Sequence, residues 1–167
     1  MAKHTIKLKK YLNVIEEYAA AAVITPGELL ELTSAGTVQA HSVEGGNVLP
    51  MFALEDELQG KGIDDDYASG DRVQCWIPTR GDVVNAILED GETISIGEAV
   101  ESNGTGYVQA HAVDTYDSDD AGSIYGNQIV GISLEALDLS GSSGEGSAGE
   151  SSVGTLGYNK RLQIRIV

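Results

Sequence analysis

The sequence predicts a mainly β domain, on the basis of its composition and its turn residues. Apolar residues make up 41% of the 167 residues, but the chain has only one Phe and one Trp, so its core must consist mainly of Val, Ile, Leu and Ala. It has 21 Gly against 3 Pro, a mixture typical of short strands joined by tight turns. This length suits one domain with a core large enough to fold unaided.

The first predicted element is a strand over residues 4–12. Apolar Ile6, Leu8 and Leu12 alternate with polar residues in this segment, the period-two pattern of a half-buried strand. Four of the ten basic residues lie in the first ten positions, namely Lys3, Lys7, Lys9 and Lys10. The chain is therefore sharply polarised, with a basic start and an acidic remainder.

The next apolar run, Ala19 to Ile24, is far shorter than the ~20 residues needed to cross a bilayer. We expect it to be a buried or intersubunit segment. The lysines before it are not followed by an apolar block of signal-peptide length, so we expect no export signal and no association with a membrane.

An internal repeat predicts two equivalent hairpins in one pseudo-symmetric barrel or sandwich. Residues 24–41 align without a gap on residues 94–111, and about half of the positions match. The identities include Glu31 with Glu101 and the tetrad Val-Gln-Ala-His that ends each copy at His41 and His111. Each copy has the pattern of strand, Gly-containing turn and strand.

The remaining elements follow from shorter patterns. Residues 53–59 are predicted to form one or two helical turns, and strands are predicted at 72–77, 83–88, 128–139 and 161–167. Cys75, the only cysteine, is expected to be a buried apolar residue of the 72–77 strand. Residues 140–154 are almost wholly Gly, Ser, Glu and Ala, which favours a mobile hairpin loop.

Charge and missing motifs exclude several functions. The net charge is -16, which opposes binding to nucleic acid because such binders present a basic surface. The sequence has no phosphate-binding loop, no dinucleotide fingerprint and none of the common zinc or hydrolase motifs. We therefore expect no cofactor, no metal and no catalytic residue. A single cysteine permits no internal disulfide, which suits assembly in a cytoplasm.

Four weaker signals are interpreted as structural. His41 and His111 are expected to make hydrogen bonds at strand ends, with metal binding or pH sensing as alternatives. The acidic loop 114–122 resembles the start of a calcium loop, but Ala121 and Gln128 stand where ligands are required. A solvated loop is favoured there and at Asp64 to Asp66. Arg80-Gly81-Asp82 matches an adhesion tripeptide in a tight turn, where chance is the simpler explanation.

The end of the chain resembles the small capsid decoration, or cement, proteins of tailed bacteriophages. The resemblance lies in Val130 to Asp138, a Gly/Ser-rich loop and Leu162 to Val167, preceded by Gly70-Asp71-Arg72-Val73 and by Gly97-Glu98-Ala99-Val100. It covers most of residues 24–167 as a pattern.

Membership of that family would imply a compact β-barrel or β-tulip (jelly-roll-like) domain with an extended N-terminal arm and at most one or two short helices. Such a protein trimerises on the outside of an icosahedral phage head, where its arm grips major capsid protein subunits. On this hypothesis residues 1–15 are the arm and 16–167 the domain, and the protein is located on the virion after assembly in the host cytoplasm.

The candidate residues follow from this hypothesis. The capsid-binding arm would comprise Lys3, His4, Thr5, Ile6, Lys7, Leu8, Lys9 and Lys10, which suit addition of a strand to a neighbour's sheet. The alternative is that residues 4–12 complete the chain's own sheet. Candidate trimer contacts are Ala20, Ala21, Ala22, Val23 and Ile24. The competing functions are a carbohydrate- or receptor-binding β module on the virion surface and a small hydrolase that uses Asp/Glu pairs.

Overall fold

The computed structural model describes residues 4–112, 125–141 and 161–167, and the mainly β class is confirmed. These residues form thirteen strands and one turn of 3-10 helix at Glu57–Gln59. The strands are β1 (Lys7–Lys9), β2 (Val14–Ala19), β3 (Leu30–Leu32), β4 (Val38–Ala40), β5 (Phe52–Ala53), β6 (Arg72–Ile77), β7 (Val83–Ile87), β8 (Thr93–Ile94), β9 (Ala99–Ser102), β10 (Val108–Ala110), β11 (Gly131–Ser133), β12 (Leu137–Asp138) and β13 (Arg161–Ile166).

The strands form four sheets, and not one continuous closed barrel. The largest sheet has the order β1-β7-β13-β11-β9-β10, and the second has the order β2-β6-β5. Two short sheets pair β3 with β4 and β8 with β12. All of these strand pairs are antiparallel.

The predicted pair of equivalent hairpins is confirmed, and their registers are identical. Glu31 lies opposite Gln39 in the β3–β4 hairpin, and Glu101 lies opposite Gln109 in the β9–β10 hairpin. Each hairpin also begins at a turn in which a glycine has positive φ, 97° at Gly27 and 89° at Gly97. Only glycine adopts this conformation without strain, which accounts for the identity at these two positions.

The equivalence extends beyond the hairpins to two halves of the fold. The first half contains β2 to β6, and the second contains β7 to β13. In the first half β2 pairs with β6, and β6 with β5. In the second half β7 pairs with β13, and β13 with β11. Parallel bridges join the end of the first strand to the hairpin in each half, Ala20 to Val38 and Leu88 to Val108. β1 is added to this pattern, and the β8–β12 pair of the second half corresponds in the first half only to the single bridge of Ile24 to Tyr67.

Two apolar clusters hold the fold together. One lies within the first half and includes Ile24, Leu30, Tyr67 and Cys75. The larger cluster combines the interior of the second half with side chains from the first half, among them Trp76. Cys75 is fully buried, as predicted, and burial raises the pKa of its thiol to about 12, so it stays protonated and unreactive at neutral pH.

The shorter predictions are largely confirmed. Strands β6 and β7 occupy the predicted ranges, and the 3-10 turn falls within residues 53–59. The single strand predicted at 128–139 is instead two strands, β11 and β12. The break follows from a side-chain turn, because the Ser133 hydroxyl donates to the carbonyl of Glu135, 2.5 Å away. Lys3, the acidic loop 114–122 and all of 140–154 except Ser140 and Gly141 lie outside the described residues.

Asp82 fixes the turn that leads into β7. Its side chain is fully buried and accepts hydrogen bonds from the backbone N–H of Thr79 at 2.7 Å and of Tyr11 at 2.6 Å. The hydroxyl of Thr79 donates to the same carboxylate at 3.0 Å. A buried carboxylate with these partners is unavailable to a receptor, so Arg80-Gly81-Asp82 is a structural turn.

Replacing Asp82 by Ala is expected to lower the free energy of unfolding by about 3 kcal/mol, because buried donors lose charge-assisted hydrogen bonds. Asp71 is the matched control, since it accepts from the backbone N–H of Ala68 in a similar Gly-Asp turn but is only half-buried. Asp71→Ala is expected to cost about 1 kcal/mol or less. Urea unfolding measures both, and equal losses would contradict this role of Asp82.

Candidate interaction surface

The structure corrects the expectation of a free N-terminal arm. Lys7 lies opposite Val84 and Lys9 opposite Val83, so β1 is the edge strand of the chain's own largest sheet. Ile6 is fully buried in the larger apolar cluster. The backbone N–H of Asn85 also donates to the carbonyl of Ile6 at 2.9 Å. Ile6 is therefore a core residue, which corresponds to the alternative that residues 4–12 complete the chain's own sheet.

Other members of the predicted arm remain accessible. His4, Lys9 and Lys10 are exposed, and Thr5, Lys7 and Leu8 are half-buried. Lys9 places its ammonium group 5.0 Å from the ring centre of Tyr11, whose side chain is 63% exposed. The sheet edge at β1 is thus a basic surface, although whether it touches a capsid stays a prediction.

The proposed trimer segment has two kinds of residue. Ala20 and Ile24 are buried in the first-half cluster, so their packing is within the chain. Ala21, Ala22 and Val23 are exposed, and Val23 exposes 60% of its surface. Only these three are available to contact another molecule.

A second surface, which the sequence did not predict, lies beside β2. An open groove of about 570 Å³ is lined by Tyr18 of β2 and by Leu32 of the β3–β4 hairpin. Met51 and Ile77 contribute further apolar lining. Leu32 exposes 53% of its surface, and Leu49, also in the lining, exposes 84%. We call this feature the β2 groove.

The β2 groove has an acidic border. Glu16 and Glu31 line it, and Glu17 is exposed in the same strand as Glu16. Partial burial disfavours the ionised form of Glu31, but hydrogen bonds from Ser42 and Gln39 outweigh it and hold the pKa of this carboxyl below its usual value. An apolar groove with ionised carboxylates at its border suits a partner that is both apolar and basic.

The two repeat histidines make strand-end hydrogen bonds, as predicted. His41 is buried and bonds through Nδ1 to the Ser102 hydroxyl at 2.8 Å and through Nε2 to the Asn47 carbonyl at 3.1 Å. His111 Nδ1 lies 2.5 Å from a carboxylate oxygen of Glu101. Within the described ranges, no group of three or more His, Cys, Asp or Glu side chains is arranged to hold a metal ion.

Buried polar residues also lie where the halves meet. Arg161 of the second half is buried and donates to the carbonyls of Pro26 at 2.6 Å and Ile63 at 2.7 Å in the first half. Glu28 is buried nearby, and desolvation raises its pKa to about 8 in spite of the opposing charge of Arg161. These residues could not be grouped from the sequence, because they are far apart in the chain.

This all-β domain, built from two like halves, has a counterpart among solved structures. No family model matches the sequence, and no curated protein matches it. The fold is similar to that of the head fiber gp8.5 N base of bacteriophage phi29, with a TM-score of 0.51. The comparison covers 93% of this chain and 95% of that chain at 12% sequence identity. At this identity the likeness establishes the shared fold.

The described segments also contain no helix of sufficient length and apolar character to span a membrane.

Proposed function

We propose that this chain is a structural protein of a phage virion, which binds the outer surface of the icosahedral head and cements neighbouring major capsid protein subunits. The observation that carries the proposal is the likeness of its fold, over nearly the whole of both chains, to the base of a phage head fiber. The role is mechanical, with no catalytic step. It agrees with the resemblance of the sequence pattern to capsid decoration proteins.

The surface of the domain supports a role in assembly. The basic edge at β1 and the acidic, apolar β2 groove are two chemically different surfaces on one small domain. A protein that joins neighbouring subunits needs more than one contact surface, and these two would select different partner segments.

Within this proposal the protein acts as a homotrimer at a three-fold or quasi-three-fold axis. Exposed Ala21, Ala22 and Val23 would contribute to the contact between copies. Three linked copies that bind one head gain avidity, because the second and third contacts form at high effective concentration. The capsid contacts would then hold firmly even if each is individually weak.

Co-sedimentation tests this function. Heads of the phage that encodes the chain, stripped of the protein, are mixed with purified protein and pelleted, and saturable binding with increased resistance of the heads to heat is expected. An absence of binding at micromolar concentration would contradict the function. Analytical ultracentrifugation tests the trimer separately, and a monomer both in solution and on heads would contradict that part alone.

A further inference from the structure

The outer edge of β2 carries main-chain groups that point away from its sheet. Ala20 donates from its N–H to the carbonyl of Asp71 and accepts at its carbonyl from the N–H of Gly70, both at 2.8 Å. Alternate residues of an antiparallel strand bond to the same neighbour. Because Ala20 bonds toward the β6 side, the N–H and C=O groups of Ile15, Glu17 and Ala19 face the opposite side. The end of this edge is taken by the β3–β4 hairpin, since Ala21 donates to the carbonyl of Val38 at 2.8 Å in the parallel bridge of Ala20 to Val38. No strand in the described part of the chain pairs on that side with Ile15 to Glu17.

The equivalent edge in the second half of the fold is covered. Glu16 pairs with Cys75 in β6, and its counterpart Val84 pairs with Ile164 in β13, so Glu17 corresponds to Asn85. The N–H of Asn85 donates to the carbonyl of Ile6, next to β1. One half of the molecule therefore shows how an edge of this shape accepts a strand, and the other half leaves the corresponding stretch, Ile15 to Glu17, open among the described residues.

We propose that the outer edge of β2 binds an extended segment of a partner protein, in which apolar and basic side chains alternate. The partner strand would pair with Ile15 to Glu17 as the N-terminal segment pairs with Val83 to Asn85. Its apolar side chains would enter the β2 groove, where Tyr18, Leu32 and Leu49 are available. Its basic side chains would lie on the opposite face of the partner strand, beside the exposed carboxylate of Glu17.

The N-terminal strand of a second copy is not available for this role. Each chain has one such strand and two equivalent edges, and the strand already covers its own β7. The outer edge of β1 is also a poor partner, since the strand has three residues with a register shift between Lys7 and Lys9. Short, bulged, lysine-bearing edges oppose further pairing. β2 is six residues long and pairs with β6 without a shift, which makes it the open edge suited to another protein.

A synthetic peptide with the sequence of residues 4–12 is the probe, because that segment pairs with the equivalent edge. We expect saturable binding that slows hydrogen exchange at the amides of Ile15 and Glu17, as followed by NMR. A peptide of the same composition in scrambled order is the control. Protection of the Asn85 region alone, or equal binding of the scrambled peptide, would overturn the proposal.

Glu17→Pro removes the outward-facing amide that corresponds to the amide of Asn85, which donates to Ile6 in the other half. The fold should tolerate it, because this N–H faces away from β6 and proline is accepted at sheet edges. We expect binding to weaken at least about tenfold, whereas Glu17→Gln, which keeps the amide, should weaken it only modestly and reduce its salt dependence. Undiminished binding to Glu17→Pro would contradict the pairing.

If Glu17→Pro fails to fold, a second reagent tests main-chain pairing at the β2 edge with the unaltered protein. Peptides N-methylated at alternate amides can pair along only one of their edges. One of the two alternately methylated peptides should lose binding and the other should keep it, and equal binding of both would overturn the proposal. Since this experiment uses no capsid, its outcome does not depend on the proposed function.

Discussion

Replacing Ile6 by Asp is expected to lower the free energy of unfolding by more than about 4 kcal/mol, enough to unfold a domain of ordinary stability. Ile6 is fully buried among the side chains of the larger apolar cluster. The change removes a core side chain, which alone costs about 2 to 5 kcal/mol, and buries a carboxylate in its place. Glu55, whose side chain accepts from the backbone N–H of Ile6 at 3.1 Å, would add repulsion.

Leu8→Asp is the matched control, because it makes a similar substitution two positions along the same segment, at a half-buried side chain. We expect a loss of about 1 kcal/mol there. Urea unfolding followed by the fluorescence of buried Trp76 measures both variants. If Ile6→Asp were as stable as the unaltered protein and lost only capsid binding, Ile6 would act as an arm residue and the packing described above would be wrong.

Deletion of residues 2–10 separates the two interpretations of the N-terminus in the same way. A free arm would be removed without loss of stability, whereas this segment covers the edge of β7 with β1 and contributes Ile6, the residue before β1, to the core. The sequence left this choice open because an alternating strand shows that it needs a neighbour but does not identify the neighbour. Main-chain pairing has little sequence specificity, so the partner is decided by the whole fold.

The duplicated hairpins could be predicted because the same residues recur at a constant spacing. The rest of the duplication is also present in the sequence, but the spacing changes. Strands β6 and β13 share three identities, Arg72 with Arg161, Gln74 with Gln163 and Ile77 with Ile166. These two strands lie farther apart in the sequence than the two hairpins do. Loops between strands accept inserted residues, whereas paired strands do not, because an insertion there would shift their register. An alignment without gaps therefore finds only the segment that contains no insertion.

Strand β2 was missed for a different reason. Its sequence includes Glu16, Glu17 and Ala19, residue types that disfavour strands in isolation. Four of its six residues are nevertheless at least partly apolar, and pairing with β6 along its whole length holds it in place. Tertiary context outweighs local preference at such an edge. The groove beside it could not be predicted, because it depends on where the β3–β4 hairpin lies relative to β2.

The buried carboxyl group of Glu28 should make the stability of the protein depend on pH. Burial raises the pKa of Glu28 from its usual value of 4.5 to about 8 in the folded state. The folded protein then binds this proton more tightly than the unfolded chain, so the free energy of unfolding falls as pH rises from about 4.5 to about 8. Each pKa unit corresponds to about 1.4 kcal/mol, which gives a loss on the order of 4 kcal/mol over that range.

Glu28→Gln keeps the shape of the protonated side chain and cannot ionise. The variant is expected to match the unaltered protein near pH 4.5 and to exceed its stability at pH 8 by on the order of 4 kcal/mol. Glu98→Gln is the control, since Glu98 is the exposed counterpart of Glu28 in the second repeat and accepts from the backbone N–H of Ser95 at 2.5 Å. Urea unfolding at a series of pH values measures all three proteins. A constant difference between Glu28→Gln and the unaltered protein across this range would show that folding does not raise the pKa of Glu28. Arg161 and its neighbours would then compensate for the cost of burial.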